Sequence, residues 1–526
     1  MSSDPGSHDG AVTEIEQDQI LRGNDESLLE PLLRPEEASG DGGEFRSGHL
    51  SQETGEGADR AAEEEGDGTG SPRLVDGMDP GTSLLLKSLY FLEALAGSAW
   101  GRFGTVYYNV HGLTPQQIGL MLGLMPAVRA FSQPLWGYAA DRWRCRKAVY
   151  LITKCGSTVV VLMLALPAVY HSWIRMLLVT LSSAVFSSSG VLDAYTLDLL
   201  GKENRIRYGR YRLWSSVSWG LGAVAMGSVT DRWGFEPNFA AFGVLSIVNV
   251  ALVAWKIPDI NMKAEDDRGE EGDEEGDGGD IPVANEAHIS DLFRLALRPR
   301  VAAFMIQVIV IGGGMATVER LLFLYLVNDL GSSTLLCGLS VLSNVIFELP
   351  IFWYAQHFMH ILGRDGMFAV SMLCFVVRVY GYTLLTPSVR WLILPLEALH
   401  GVTFACFWVT LTDVTKSLII EAKGWSTTIP TGVQMLYNAV GVCLGSVLGG
   451  WAMKEYGSRE MYRAVALIVC INLGLHVVGL ITSRLLFRRG FLPEDSKETP
   501  DNDATDSFAD SMLQEPDNDA LGQDSP

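Results

Sequence analysis

The sequence predicts an all-α membrane protein in which twelve transmembrane helices form two six-helix bundles. Hydrophobic residues make up 48% of the 526 residues and are concentrated between acidic ends of the chain. From Leu84 onward, apolar runs recur that are each long enough for a helix of about 20 residues to cross about 30 Å of hydrocarbon. An acidic polar segment separates these runs into two sets of six, which is typical of two repeated bundles around a site at the membrane midplane.

The acidic segments carry most of the net charge of −22 and set the predicted domain boundaries. They cannot bury enough apolar surface to offset the entropy lost on folding, so we predict disordered tails and a solvated linker. An acidic balance also argues against nucleic acid as a partner, because phosphate binding needs a basic face. The predicted organisation is a tail over 1–81, a bundle over 82–258, a linker over 259–299, a second bundle over 300–486 and a tail over 487–526.

The apolar runs give the predicted helices in order along both halves of the chain. In the first half they cover residues 84–106, 118–139, 149–169, 173–197, 212–230 and 239–257. In the second half they cover residues 301–326, 335–356, 367–386, 390–415, 428–453 and 461–484. The lipid bilayer is therefore the predicted surrounding of most of these residues.

Lysine and arginine are distributed unevenly among the predicted loops. They cluster after the second helix, over 142–147, and before the fifth, over 202–212, whereas the loops after the first and seventh helices contain none. Because positive charge is retained on the cytoplasmic side, this asymmetry predicts that both termini and the linker are cytoplasmic. The pattern fits the plasma membrane and internal membranes equally well.

The sequence lacks the patterns of metal proteins and ATP-driven enzymes. Six of the seven cysteines lie inside apolar runs, and no CxxC or CxxH spacing occurs. There is also no GxxxxGK[ST] phosphate-binding loop. We therefore expect no metal site, no cofactor and no enzymatic activity.

The loop after the second helix carries the most specific motif. GYAADRWRCRK, from Gly137 to Lys147, resembles the loop signature of the major facilitator superfamily, in which Gly, Asp, Arg and a terminal basic residue recur. The resemblance implies that Asp141 and Arg142 form cytoplasmic contacts that stabilise one state of an alternating-access cycle. An ordinary positively charged loop is the alternative. The corresponding stretch of the second half, 354–365, contains no comparable string.

A wider resemblance extends over residues 84–484. FGTVYYNVHGLTPQQIGLMLG, YGRYRLWSSVSWGLGA and LEALHGVTFACFW are similar to sequences of the lactose-permease-like branch of this superfamily. That branch includes sugar and nucleoside proton symporters and the eukaryotic major facilitator superfamily domain-containing protein 6 group, which this chain resembles most. The resemblance implies a transporter with the major facilitator fold.

Ionisable residues far from the ends of the predicted helices indicate a polar interior. Each costs about 2.5 to 3.5 kcal/mol at the centre of a membrane helix unless it is paired or hydrated. We interpret these residues as the lining of a transport site, with structural ion pairs that fix helix register as the alternative. They are Glu93, Arg129, Asp193, Glu348, Arg378 and Glu397. Glu319, which follows three glycines in the seventh helix, is a further candidate.

The second half supplies the predicted proton-coupling residues. Glu397 and His400 are three residues apart, so they share one face of the tenth helix, and histidine titrates near neutral pH. In the lactose-permease-like branch, an acid on helix 8, an arginine on helix 9 and a histidine on helix 10 couple protons to the substrate. The resemblance assigns these roles to Glu348, Arg378 and His400. We expect Glu348 and Arg378 to form an ion pair.

Asp193 is the predicted substrate-binding residue of the first half. The same branch binds its substrate with an acid and an arginine between helices 4 and 5. Arg210 and Arg212 lie near the start of the fifth helix, on the same side of the membrane as the end of the fourth. The resemblance therefore implies that Asp193 faces the cavity.

These observations predict a secondary transporter that carries a small polar solute together with protons. A uniporter or an antiporter on the same fold is one alternative, because it would need no protonatable side chain at Glu348 or His400. A membrane receptor or sorting scaffold that has kept the fold is another, since the acidic tails are long enough to bind partners.

Overall fold

The computed structural model describes residues 80–143, 145–187, 189–200, 208–256, 289–422, 425 and 428–493. Within these ranges the chain is helical and contains no strand. Most of the predicted tails and linker lies outside the described residues. The end of the predicted linker forms a short helix, and six residues of the predicted C-terminal tail are described beyond the last helix.

The described residues of the N-terminal half form nine helices, and several of the predicted membrane spans are divided between two of them. The helices are α1 (Pro80–Trp100), α2 (Phe103–Val110), α3 (Pro115–Arg142), α4 (Arg146–Met163), α5 (Pro167–Tyr170), α6 (Trp173–Val185), α7 (Ser189–Leu200), α8 (Tyr208–Trp233) and α9 (Glu236–Lys256). Helix α1 packs against α8 and α9, while α6 packs against α3 and α4. These contacts join the helices into one bundle.

The C-terminal half begins with the short helix α10 (Ile289–Ala296) and continues with longer helices. These are α11 (Pro299–Leu324), α12 (Thr334–Trp353), α13 (Ala355–Tyr382), α14 (Ile393–Glu421), α15 (Thr428–Met435), α16 (Val442–Tyr456) and α17 (Ser458–Phe487). A π-helical turn extends α11 to Asp329, and a second one, Leu436–Gly441, joins α15 to α16. Helix α14 packs against α12 and α13, and α11 packs against α16, which completes the second bundle.

Seven segments in the described part of the chain are long and apolar enough to cross a membrane. They are Glu236–Lys256, Pro299–Asp329, Thr334–Trp353, Ala355–Tyr382, Pro387–Glu421, Thr428–Tyr456 and Ser458–Phe487. The earlier predicted spans coincide with helices that are more polar, such as α8, or interrupted, such as α1 and α2. The surface of α17 shows the membrane pattern clearly, because Leu467, Ile471 and Leu475 are exposed on it.

Glycine allows the two bundles to touch backbone to backbone. A Cβ atom built on Gly119 of α3 would lie 2.3 Å from the carbonyl oxygen of Ser446 on α16. One built on Gly338 of α12 would lie 2.2 Å from the carbonyl oxygen of Ala223 on α8. Small residues bring membrane helices together in this way, so the α3–α16 and α8–α12 contacts are close on both sides of the molecule.

Hydrogen bonds reinforce these contacts at one end of the bundles. Asp231, at the end of α8, accepts hydrogen bonds from the backbone N–H groups of Thr334 (2.7 Å) and Leu335 (2.9 Å) at the start of α12. A carboxylate at this position satisfies N–H groups that the helix itself leaves unpaired and interacts favourably with the helix dipole. Asn328 donates to Asn109 across the bundles at 3.0 Å. We call this closed end, formed by residues 109–123, 223–231, 328–338 and 446–454, the gate end.

We predict that Gly338→Leu forces the gate end open, because the added side chain cannot fit against α8. Spin labels at Val110→Cys and Asp329→Cys, with exposed Cys155 and Cys470 replaced by serine, would report the distance between the bundles. The distance should increase in the variant.

The matched control is Gly474→Leu. Gly474 is also in a helix of the second bundle, but a Cβ atom built there meets nothing within 4 Å. This variant should leave the distance between the labels unchanged. An unchanged distance in Gly338→Leu would show that the α8–α12 contact does not hold the gate.

Candidate functional site

Charged side chains from five helical segments lie between the bundles, beyond the gate end. The group consists of Arg102 at the α1–α2 junction, Arg129 on α3, Glu319 and Arg320 on α11, Glu348 on α12 and His400 on α14. We call it the central cluster. Arg102 interacts electrostatically with Arg320, Glu348 and His400, and Arg129 with Arg320. Both bundles therefore contribute charge to one site.

A break in the first helix places Arg102 at this site. Helix α1 ends at Trp100 and α2 begins at Phe103, and the indole of Trp219 packs so closely on Gly101 that a Cβ atom would lie 2.6 Å from it. The ring of Phe103 packs on that of Phe323 with 5.3 Å between their centroids. Because Phe323 lies one turn from Glu319 and Arg320, the break brings Arg102 to the charged part of α11.

Glu319 and His400 form the contact between proton-binding groups in the cluster. The Nε2 atom of His400 lies 3.7 Å from Oε1 of Glu319. His400 is buried, and its Nδ1 atom has no hydrogen-bond partner among the described residues. Glu319 is 29% exposed. A carboxylate reachable from the gap thus faces an imidazole enclosed by the second bundle.

Glu348 lies beside His400 because glycine brings their helices together. A Cβ atom built on Gly401, the residue after His400, would lie 2.5 Å from the carbonyl oxygen of Asn344 and 2.6 Å from the backbone nitrogen of Glu348. Glu348 is buried, and it makes no ion pair or hydrogen bond within the described ranges. It is therefore a buried carboxyl group with no protein partner to fix its charge.

The predicted pair between Glu348 and Arg378 is wrong, because Arg378 pairs with Glu397. Nη1 of Arg378 lies 3.7 Å from Oε1 of Glu397, and both side chains are fully buried. The hydroxyl group of Tyr382 donates a hydrogen bond to Glu397. Arg378 also lies against the rings of Phe375 and Tyr382, which with Glu397 fill the space between α13 and α14. The contact of α13 with α14 therefore determines the partner of Arg378.

Two other predicted site residues bind partners inside the first bundle. Asp193 accepts a hydrogen bond of 2.9 Å from the hydroxyl group of Tyr90. Glu93 forms an ion pair of 2.6 Å with Lys154, which sequence analysis did not identify. Tyr150 donates to Glu93 at 3.2 Å. These contacts connect α1 with α7 and with α4.

The ion pair that the structure shows in the motif loop lies within the first bundle. Gly137 lies in α3 with open space around it, and Lys147 lies in the first turn of α4. Asp141 is 67% exposed and pairs with Arg146 at 3.1 Å. Arg142 is exposed beside it. The contact between bundles that the resemblance implies for Asp141 and Arg142 remains a prediction for the opposite conformation, in which this end would close.

Aromatic side chains form one wall next to the central cluster. The rings of Trp408 and Tyr437 lie 5.1 Å apart, and those of Trp408 and Phe404 lie 5.9 Å apart. Tyr437 interacts electrostatically with Glu319 and Arg320, which places this wall beside the charges. The indole Nε1 of Trp408 is buried and has no acceptor among the described residues. The site thus combines charged groups with an aromatic wall.

Part of the central cluster is recognisable in the sequence, and the rest is not. Arg129, Glu319, Glu348 and His400 belong to it as predicted candidates, whereas Arg102 was omitted because it lies near the end of the first predicted helix. The Trp-Gly-Arg string at Trp100–Arg102 is the signal that could have revealed the break. Within the described ranges, no group of three or more His, Cys, Asp or Glu side chains is arranged to hold a metal ion.

Comparison with known proteins gives consistent matches. The family model described as MFS_1 like family matches residues 83–464. The chain is 26% identical to a maltose permease of Geobacillus stearothermophilus, over 75% of this chain and 93% of that protein. It is 24% identical to a major facilitator superfamily domain-containing protein 6-like protein of Mus musculus, over 31% of this chain and 27% of that protein. The crystal structure of the nucleoside transporter NupG has a TM-score of 0.59 at 19% identity, over 75% of this chain and 98% of that one.

These matches confirm the resemblance inferred from the motif loop and the longer strings. The likeness to NupG confirms the predicted fold of two helical bundles, and the family match covers most of both bundles. The family match and the similarity to a maltose permease assign the chain to membrane transport and not to enzymes. The chain belongs to the MFS_1 like family, a branch of the major facilitator superfamily of membrane transporters.

Proposed function

We propose that this chain is a secondary transporter that couples protons to the movement of a small polar solute by alternating access. The observation that supports it most is the contact of Glu319 on α11 with His400 on α14, beside Arg102 of the first bundle. These two groups, a carboxyl group and an imidazole, can each take up a proton, and they lie beside a buried carboxyl group, Glu348. A maltose permease and a nucleoside transporter among the similar proteins support a polar solute.

Proton binding would change the charge of the site at the point where the bundles meet. A proton on Glu319 removes the attraction between this carboxylate and the cationic side chains near it, Arg320 among them. A proton on Glu348 removes a second buried negative charge. Because an unneutralised charge is costly inside a membrane, protonation and solute binding together would decide when the site can be enclosed.

The direction of access follows from the position of the gate. The gate end is closed by the α3–α16 and α8–α12 contacts, so the central cluster is reached from the opposite end, where Asp141 lies. The basic loops predict that this opposite end is cytoplasmic. In the proposed cycle, the motif loop would contact the second bundle when the gate end opens.

We assign a structural role to Arg378 and Glu397. Both side chains are fully buried between α13 and α14, so neither is exposed to a solute in the gap. Their charges lie close to each other and to Tyr382, which offsets part of the free energy lost when they leave water. Proton coupling in this proposal therefore rests on Glu319, Glu348 and His400 alone.

Glu319→Gln should abolish proton movement while preserving solute exchange, because glutamine keeps the shape of the side chain and cannot take up a proton. The measurement uses proteoliposomes that contain a pH-sensitive dye and a panel of sugars, nucleosides and small acids. The wild-type protein should show solute-dependent proton uptake, and exposed Glu236→Gln should behave like it. Proton uptake that persists in Glu319→Gln would exclude the coupling role, and solute equilibration without protons in the wild type would indicate a uniporter.

Glu397→Gln should destabilise the fold, because it leaves the charge of Arg378 buried without a counterion. Breaking one side of a buried pair typically costs about 3 to 5 kcal/mol, whereas replacing both partners with apolar residues is often close to neutral. The melting temperature in detergent micelles should therefore fall in the single variant and recover in Arg378→Leu/Glu397→Leu.

Glu421→Gln provides the control for this comparison. Glu421 pairs with Arg298, which is 55% exposed, so its loss should change stability by about 0 to 1 kcal/mol. If Glu397→Gln melted at the same temperature as this control, the Arg378–Glu397 pair would not hold α13 and α14 together.

A further inference from the structure

The central cluster contains three arginines that the protein itself does not pair. Arg102, Arg129 and Arg320 form no ion pair within the described residues. The Nε atoms of Arg129 and Arg320 are buried and have no hydrogen-bond partner there, although part of each side chain remains open to the gap. Unmatched guanidinium groups are rare inside membrane proteins and mark binding sites for charged ligands.

The balance of charge in the cluster favours an anion with a single negative charge. The charged groups that act on one another there are the three arginines, Glu319 and Glu348, with His400 among them. Arg378 also acts on His400, but its pairing with Glu397 leaves no net charge from that side. With both carboxyl groups ionised and His400 neutral, three positive charges meet two negative charges. One positive charge is left over, and mutual repulsion between Arg129 and Arg320 increases the tendency to bind an anion.

Guanidinium groups favour one type of anion through their geometry. Their N–H donors form a planar fork that matches the two oxygens of a carboxylate and gives short, charge-assisted hydrogen bonds. The free Nε atoms of Arg129 and Arg320 are part of such forks. A carboxylate carries the single charge that the cluster lacks.

The aromatic wall indicates the chemistry of the part of the solute that lies away from its charged group. Tyr437 lies beside the charged groups and is buried, and its ring packs against the partly exposed ring of Trp408 with 5.1 Å between their centroids. The buried Nε1 of Trp408 can donate to a polar atom of a ligand. A small molecule with a flat ring next to its carboxylate would satisfy both parts of the site.

We infer that the solute is a small organic monocarboxylate, bound through its carboxylate by Arg102, Arg129 and Arg320 and through its ring by Trp408. This inference rests on the proposed transport function and specifies its substrate class. Proton binding to Glu319 or Glu348 would strengthen the positive charge of the site and so favour the carboxylate. Proton and solute would then enter the site together.

Calorimetric titration of the purified protein in micelles with benzoate and with benzamide tests the inference directly. The two probes share a ring and nearly the same shape, and only benzoate carries a carboxylate. Benzoate should bind at least about tenfold more tightly than benzamide, since charge-assisted hydrogen bonds are the stronger ones. Equal affinity for the two probes, or no binding of benzoate, would overturn the assignment.

Variants of the arginines identify where the carboxylate binds. Arg129→Gln and Arg320→Gln should each weaken benzoate binding about tenfold and leave benzamide binding unchanged. Arg129→Lys keeps the positive charge but loses the planar pair of guanidinium donors, so it should weaken benzoate binding less. It serves as a second variant if the Arg129→Gln protein does not fold. Exposed Arg232→Gln is the matched control and should bind benzoate like the wild type. If both glutamine variants bound benzoate as tightly as the wild type, the carboxylate would bind outside the central cluster.

Binding in micelles separates this inference from the proposal of proton symport. Benzoate binding that depends on the arginines, in a protein that moves no protons in liposomes, would retain the anion site and refute the symport. Proton uptake driven by a neutral sugar, without benzoate binding, would retain the symport and refute the anion site.

Discussion

Contact between small residues at the gate end determines where the two bundles meet and where they separate. The close approach at Gly119 and Gly338 leaves no room for side chains, so α3 touches α16 and α8 touches α12 in the halves next to the gate end. Helices that cross closely at one end diverge toward the other. The divergence creates the gap in which the central cluster lies, and Asp231 strengthens the closed end by capping α12. The cluster can be polar because the gap keeps it away from lipid.

Buried charges divide into two classes according to whether the protein supplies a partner. Glu93 with Lys154 and Arg378 with Glu397 are paired within single bundles, where they connect neighbouring helices. Charges in the central cluster come from both bundles and remain incompletely matched, as the free Nε of Arg129 shows. A pair inside one bundle keeps its geometry when the bundles rotate. A group shared between bundles changes its surroundings, and this difference makes the central cluster the site where ligand binding can act on conformation.

Periodicity and charge patterning predicted the helices and much of the site, since long apolar runs and isolated ionisable residues are local features of the sequence. His400 and Glu319 were identified in this way. Their contact was not, because it joins α11 to α14 and depends on packing between helices distant in sequence. Arg378 illustrates the same limit: it pairs with Glu397 rather than Glu348. Arg102 was missed because a helix break has a weak local signal, and the position of such a break is set by tertiary contacts.

Charge balance provides a physical reason for cooperative binding of proton and solute in the proposed cycle. Enclosing the central cluster between two closed gates removes it from water, and each uncompensated charge then raises the free energy of the enclosed state by several kcal/mol. The cluster without solute has one positive charge in excess when Glu319 and Glu348 are ionised. A monocarboxylate alone neutralises it, but a proton on Glu319 without the carboxylate increases the excess to two. Proton binding is therefore unfavourable until the anion is present, and anion binding becomes stronger when the proton is bound. This mutual dependence is a favourable coupling free energy between the proton and the anion.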